Sequence, residues 1–260
     1  MSASRFWLAT GTLVDREMVR FFRQRNRLIG ALMTPLMFWF FLGAGLGGSF
    51  RVSLGAAGGV SYMQYFLPGT MALVCLFTAI FSTMSVIDDR QAGFLQAVLV
   101  SPAPPGAVGA GKMLGGTLLA FFQAVLFMAL LPVLHVPLGL AGFLISSAML
   151  LLMSFGLTGL GLIIALKTDS VQGFHAIMNL FLMPLWFLSG AVFPASGAPG
   201  WLKVLMAINP MSYSVAALHR GFFPGAGGAS LWVCFGVNAL FAALTFGLSL
   251  SLIRRGGEAA

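Results

Sequence analysis

The sequence predicts an all-α membrane protein with six transmembrane helices, and three observations carry that prediction. Hydrophobic residues make up 59% of the chain and charged residues only 8%, where a soluble domain would carry about 25% charged residues. Six apolar stretches are each long enough to cross a hydrocarbon core about 30 Å thick, which takes about 20 residues of helix. The charged residues fall in the gaps between them. The spans are Leu28–Gly47, Phe66–Ile87, Met113–Leu134, Leu140–Leu166, Gly173–Phe193 and Leu231–Ile253. No Asp, Glu, Lys or Arg lies inside these windows, which only Gln123, His175, Asn179, Asn238 and scattered Ser and Thr interrupt. Barrel strands would alternate over about 10 residues, and these runs do not alternate. Residues 1–260 therefore read as a single membrane domain with no room for a soluble catalytic domain.

The net charge of +8 would suggest nucleic acid in a soluble protein; here its distribution reads as topology, and no nucleic-acid partner is expected. Lys and Arg accumulate in short cytoplasmic segments. Arg5, Arg16, Arg20, Arg23, Arg25, Arg27, Arg90, Lys112, Lys167, Arg254 and Arg255 place eleven cations on one side, against Arg51, Lys203 and Arg220 on the other. Both termini are thus expected in the cytoplasm, which six spans allow, and the location expected is a bacterial inner membrane.

Ahead of the first span, the basic segment is too long for the start of a cleavable signal peptide. Over about residues 10–27, Val14, Met18, Phe21 and Phe22 recur at helical spacing opposite Arg16, Arg20 and Arg23. That pattern predicts an interfacial helix with its basic side toward anionic headgroups. Between the second and third spans, Phe94, Leu95, Val98 and Leu99 make an apolar stripe at helical spacing that Pro102 ends. Such a helix rests on the bilayer or docks in a groove of a partner, and composition leaves both open. Gly106–Lys112 matches a phosphate-binding loop but is followed by Met113, where a magnesium-holding Ser or Thr belongs. It also opens a span instead of joining strand to helix, so the glycines read as packing residues and Lys112 as an interfacial anchor.

After the fifth span, Pro194 and Pro199 break the helix, Trp201, Leu202, Leu205 and Ile208 make an amphipathic turn, and Asn209-Pro210 restarts the chain. Such a segment dips into the bilayer only where protein covers its backbone; otherwise it lies on the headgroups. Polar residues within spans usually face protein or a cavity. Thr78, Ser82 and Ser85 share a face of the second span, and His175 and Asn179 are four apart on the fifth. Cys75 and Cys234 show no metal or disulfide spacing, and the three histidines lie in different segments, so no metal site is expected.

Taken in order, Arg16-Glu17-Met18-Val19-Arg20-Phe21-Phe22-Arg23-Gln24-Arg25-Asn26-Arg27, the acidic loop ending Ser101-Pro102, Leu188-Ser189-Gly190, Phe193-Pro194, Pro199-Gly200-Trp201-Leu202, Asn209-Pro210-Met211-Ser212-Tyr213 and Arg220 resemble the ABC-2 type permeases. These are membrane subunits of bacterial ABC exporters, similar to the drug-resistance and nodulation-factor export permeases. The resemblance covers essentially the whole chain. It implies an N-terminal elbow helix carrying Arg16, Arg20 and Arg23, and a coupling helix over about 89–100 that meets a separate cytoplasmic ATPase subunit through Asp88, Asp89, Arg90, Phe94, Leu95, Gln96, Val98 and Leu99. Short re-entrant helices on the outer side would carry Pro194, Trp201, Asn209, Pro210, Tyr213 and Arg220. It also places spans two and five at the centre of a pair of permease copies, making Thr78, Ser82, Ser85, His175 and Asn179 candidates for the pathway. Family members often carry an acidic residue where Gln96 stands, and Asp88 and Asp89 are the nearest substitutes.

By the same resemblance, ATP and magnesium belong to the partner ATPase and this chain binds no cofactor and has no catalytic residue. A self-sufficient secondary transporter or channel is the alternative, and the absence of charge within the spans weighs against its ion coupling. An intramembrane protease is disfavoured because Ser189 and His175 would sit near opposite membrane surfaces. No residue selects a substrate.

Overall fold

The computed structural model describes residues 3–47, 51–54, 59–93 and 105–258. Within them the chain folds into α1 (Ala3–Arg23), α2 (Arg25–Gly47), a small antiparallel hairpin β1 (Arg51–Ser53) and β2 (Gly59–Ser61), α3 (Tyr62–Thr83), α4 (Ser85–Gln91) and α5 (Pro105–Met128). Then come α6 (Leu140–Leu166), α7 (Val171–Phe187), α8 (Gly200–Ile208), α9 (Pro210–Phe222) and α10 (Leu231–Glu258).

Local chemistry sets several boundaries. Ser61 and Gln64 form a reciprocal capping box that starts α3. The Ser170 hydroxyl accepts from the Gly173 amide at the head of α7. The Asn209 side chain accepts from the Met211 amide, with Pro210 at the first helical position of α9, where its missing N–H costs nothing.

Among the described residues, five helices have the length and hydropathy to cross a membrane: Arg25–Gly47, the run Tyr62–Gln91, Gly106–Met128, Leu140–Leu166 and Leu231–Ile253. The expected fifth span, Gly173–Phe193, is instead a 17-residue helix that ends at Phe187. Past it the backbone turns through Gly190, whose φ of 78° is the left-handed region that glycine enters without strain. A helix of that length covers about 26 Å, and α7 still runs from one end of the bundle to the other. Its first turn adjoins Asp169, whose carbonyl accepts from Gln91, and the residues after its last turn meet Tyr62 and Tyr65.

The expected third span, Met113–Leu134, also shifts. Its helix is α5, which begins about eight residues earlier and stops at Met128, leaving Leu130–His135 in turns with His135 at φ 56°. Glycines on both sides of Met113 let four helices approach α5. A Cβ on Gly111 would come within 2.6 Å of the Leu13 Cβ of α1, on Gly115 within 2.9 Å of the Glu17 Cβ, on Gly109 within 2.7 Å of Ile253 of α10, and on Gly116 within 2.6 Å of the Ser82 hydroxyl of α3 and 2.7 Å of the Thr158 methyl of α6.

At the centre lies α3, packed against α2, α5, α6 and α9 and more lightly against α7. Of its most apolar window, 89% is buried, against 22% for α2 and 28% for α10. The contiguous core therefore builds around α3, while α2 and α10 present apolar flanks such as Met37, Phe40, Phe41, Leu240, Leu244 and Leu248 outward.

Candidate functional site

One face of α3 and α4 carries Cys75, Thr78, Ser82, Ser85 and Asp89, at alternating spacings of three and four. That spacing lines up side chains along one side of a helix. The seam meets α5 and changes character along its length. The Thr78 hydroxyl donates to Gln123 Oε1 at 2.7 Å, and the Cys75 thiol lies 4.0 Å from the Ala120 carbonyl. One turn on, Ser82 donates to the Ala79 carbonyl of its own helix and faces Gly116. Toward the end of the bundle the contacts become ionic.

There Lys112 of α5, almost fully buried, reaches Glu17 of α1 at 2.5 Å, the Ser85 hydroxyl at 3.1 Å and Asp89 of α4. Ser85 in turn donates to Glu17 at 2.8 Å. Arg16 of α1 grips Asp89 with two bonds, 2.8 and 3.1 Å long, and that carboxylate holds the guanidinium above its ordinary pKa. Arg20 bridges Asp89 at 2.7 Å and Asp88 at 3.0 Å, and Arg27, at the start of α2, adds a bond to Asp88 at 2.9 Å. Four cations thus surround three carboxylates. Beside this cluster, Arg90 donates to the Leu166 carbonyl at 2.8 Å and pairs with Asp169 at 3.5 Å. The joint ties together α1, α2, α4, α5 and the α6–α7 turn.

Several expectations change here. Lys112 is no interfacial anchor: α5 starts early enough to carry it inward, where two carboxylates compensate its charge. Asp88, Asp89 and Arg90, expected to meet a partner, also bond groups of their own chain. Arg16 and Arg20 turn toward these carboxylates and not toward headgroups, while Arg23 is exposed. On α1, Phe21 is buried against Ala31 and Leu119 but Phe22 points outward. Phe94, Leu95, Gln96, Val98 and Leu99 lie outside the described residues. The contact that sequence reasoning missed is the one between Glu17 and Lys112, 95 positions apart.

Among the pathway candidates, Thr78, Ser82 and Ser85 are enclosed within one chain with the partners given above. His175 is half-buried against Phe81 and Phe174, and Asn179 is exposed on the outer flank of α7.

Among the described residues, the opposite end is held by hydrogen bonds to backbone carbonyls. Tyr62 donates to the Val192 carbonyl at 2.9 Å, Tyr65 to Gly190 at 2.5 Å, Trp186 to Gly69 at 2.8 Å, Asn209 to Leu185 at 2.5 Å and Ser212 to Leu188 at 3.1 Å. Buried His219 stacks on Tyr65 at 4.8 Å and bonds the Tyr65 carbonyl through Nε2, which must therefore carry the proton. Its pKa is pushed down to about 4 by burial, so the ring is neutral at physiological pH. Tyr213 donates to the Ala207 carbonyl and Arg220 to that of Gly228, both at 2.8 Å. Pro194 precedes a short 3-10 turn, and Trp201 stands exposed on α8.

The model of the ABC-2 type transporter family matches residues 9–223. Nodulation protein J of Rhizobium leguminosarum bv. trifolii is 31% identical over 237 residues, covering 88% of this chain and 86% of that protein. The daunorubicin resistance ABC transporter permease protein DrrB1 of Streptomyces coeruleorubidus is 29% identical over 252 residues, with 92% and 85% covered. The inner membrane transport permease YadH of Escherichia coli K12 is 24% identical over 253 residues, 96% of each chain. With the family model spanning most of a helical, multi-pass membrane bundle, the chain belongs to the ABC-2 type transporter permeases.

Proposed function

We propose that this chain is the membrane subunit of an ABC exporter, forming the substrate route and taking its energy from a separate cytoplasmic ATPase subunit that binds ATP and magnesium. Two permease copies, or this chain and a homologue, would pair with two ATPases. In this reading six helices cross the bilayer, both termini and the ionic joint lie in the cytoplasm, and α8 and α9 cap the outer end. Relatives named as transport and drug-resistance permeases support the export role.

The observation that carries the coupling is the ionic joint itself. Asp88 and Asp89 stand at the root of the segment that includes Phe94, Leu95, Val98 and Leu99, and their charges bind that root to α1, α2 and α5. A push on the segment is therefore delivered directly to the elbow and to two spans.

Replacing Leu95 and Leu99 by Asp should release the ATPase subunit on co-purification and stop transport, while the chain still inserts, because both positions lie outside the spans. Each buried leucine would contribute roughly 1.5–3 kcal/mol, less the cost of association. A double variant that still assembles and transports removes the coupling role from this segment.

A further inference from the structure

We propose that the end of the bundle opposite the ionic joint holds a binding site for an anionic amphiphile, seated in the cavity between the 188–196 linker, α8, α9 and the 227–229 turn, with Lys203 as its headgroup contact. The cavity has a volume of about 460 Å³, within the roughly 300–1,000 Å³ usual for small-molecule sites. Met206 and Val215 supply an apolar wall, and Tyr65 and His219 close the inner side.

Charge selects the ligand class. All six carboxylates of the chain (Asp15, Glu17, Asp88, Asp89, Asp169 and Glu258) belong to segments at the ionic end or to the C-terminal tail, so the cavity end has none. Lys203 lines the cavity, and among the described residues no carboxylate pairs with it. His219 is neutral. Arg220 stands behind the Gly228 wall, donates to that carbonyl and keeps a buried Nε with no partner, so it adds positive potential without being neutralised. The ligand is then the only source of a counter-charge.

Hydrogen bonding points the same way. The hydroxyls of Tyr65, Ser189, Ser212 and Tyr213 all donate to backbone carbonyls, which leaves them only as acceptors toward a ligand. The charged donor in the lining is the Lys203 ammonium, with the Ser196 hydroxyl as a neutral donor beside it. A neutral polyhydroxylated ligand would find few side-chain donors, whereas a carboxylate or phosphate on an apolar body meets a cationic one. Such a molecule could be an anionic lipid of the bilayer or an exported compound of the same chemistry.

The test uses the full chain with its ATPase subunit in neutral phosphatidylcholine vesicles, probed with photoreactive dodecanoic acid and photoreactive dodecanol. The acid should label peptides within residues 188–229 and bind about two- to fivefold tighter than the alcohol, the scale of a partly exposed ion pair. Lys203→Gln should abolish that preference, Lys203→Arg should keep it, and Lys167→Gln, at the other end, should leave it unchanged. Displacement by phosphatidylglycerol without ATP-driven accumulation of the probe identifies a resident lipid; accumulation that Lys203→Gln slows identifies cargo. Only this last arm rests on the export reading, so binding without transport of the probe leaves the site intact. Equal binding of acid and alcohol, a preference surviving Lys203→Gln, or labelling confined elsewhere overturns the proposal.

Discussion

The two ends of this bundle are fastened by opposite chemistry. At one end, side chains remote in sequence meet as ions, and several share a partner: Arg16, Arg20 and Lys112 all converge on Asp89. At the other end, Tyr62, Tyr65, Trp186, Asn209 and Ser212 each direct a donor to a particular backbone carbonyl. Shared ionic contacts tolerate small displacements, because a carboxylate can pass between neighbouring cations without being left bare. Single donor–carbonyl bonds do not, since a shift of an ångström breaks them. Compliance thus lies where the proposed ATPase would push, and fixed geometry lies at the end proposed to face outward.

The most decisive challenge to this contrast is to ask which end faces outward. A cysteine placed at Ser196, an exposed position in the turn after Pro194, should react fully with an impermeant reagent in intact cells. Reaction only after the cells are opened would reverse the assignment of the ends and with it the meaning of the comparison.

Next in size is Lys112→Met. Removing one member of a buried ionic group typically costs about 3–5 kcal/mol, because the remaining charges lose compensation in a poorly solvating site. The variant should show a lower thermal midpoint in detergent, and Glu17→Gln in the same chain should recover part of the loss. An unchanged midpoint would show that Arg16 and Arg20 suffice and that the joint does not depend on α5.

A smaller effect should come from the neutral end. Asn209→Ala removes both the cap on α9 and the bond to Leu185, at a cost of about 1–2 kcal/mol. Raising the salt concentration should leave this cost unaltered, while the partly exposed Arg16–Asp89 contact weakens by screening. Equal salt sensitivity at both ends would erase the distinction.

Much of the contrast was legible in the sequence. The crowding of Lys and Arg into one set of loops, eleven against three, set the two ends apart without any coordinates. Asn209-Pro210 announced the start of α9, since an Asn cap followed by Pro is a strong local signal. Leu140–Leu166 came out with the expected bounds because nothing but hydropathy defines it. The start of α5 was hidden for a physical reason. Glycine lowers both hydropathy and helix propensity, yet Gly109, Gly111, Gly115 and Gly116 are helical because neighbouring helices press too close for a side chain. Local pattern could not show that crowding, nor that Lys112 would meet Glu17. A hint was present in a lysine set among glycines just ahead of an apolar run, a place where close helix packing and charge compensation coincide.

The separation of Glu17 from Lys112 also sets an order of events during synthesis. With 95 positions between them and elongation at about 5–20 residues per second, α1 leaves the ribosome roughly 5–20 s before its cation exists. Through that interval Glu17 has no lysine to meet, and α1 has no glycine face on which to settle. When α5 enters the membrane, its lysine arrives after both acidic partners have been made. A buried cation without a partner is costly, and the waiting carboxylates supply one. The elbow is in this sense an early-made receptor for a later helix, and truncating the chain between α4 and α5 should leave α1 undocked on the nascent protein.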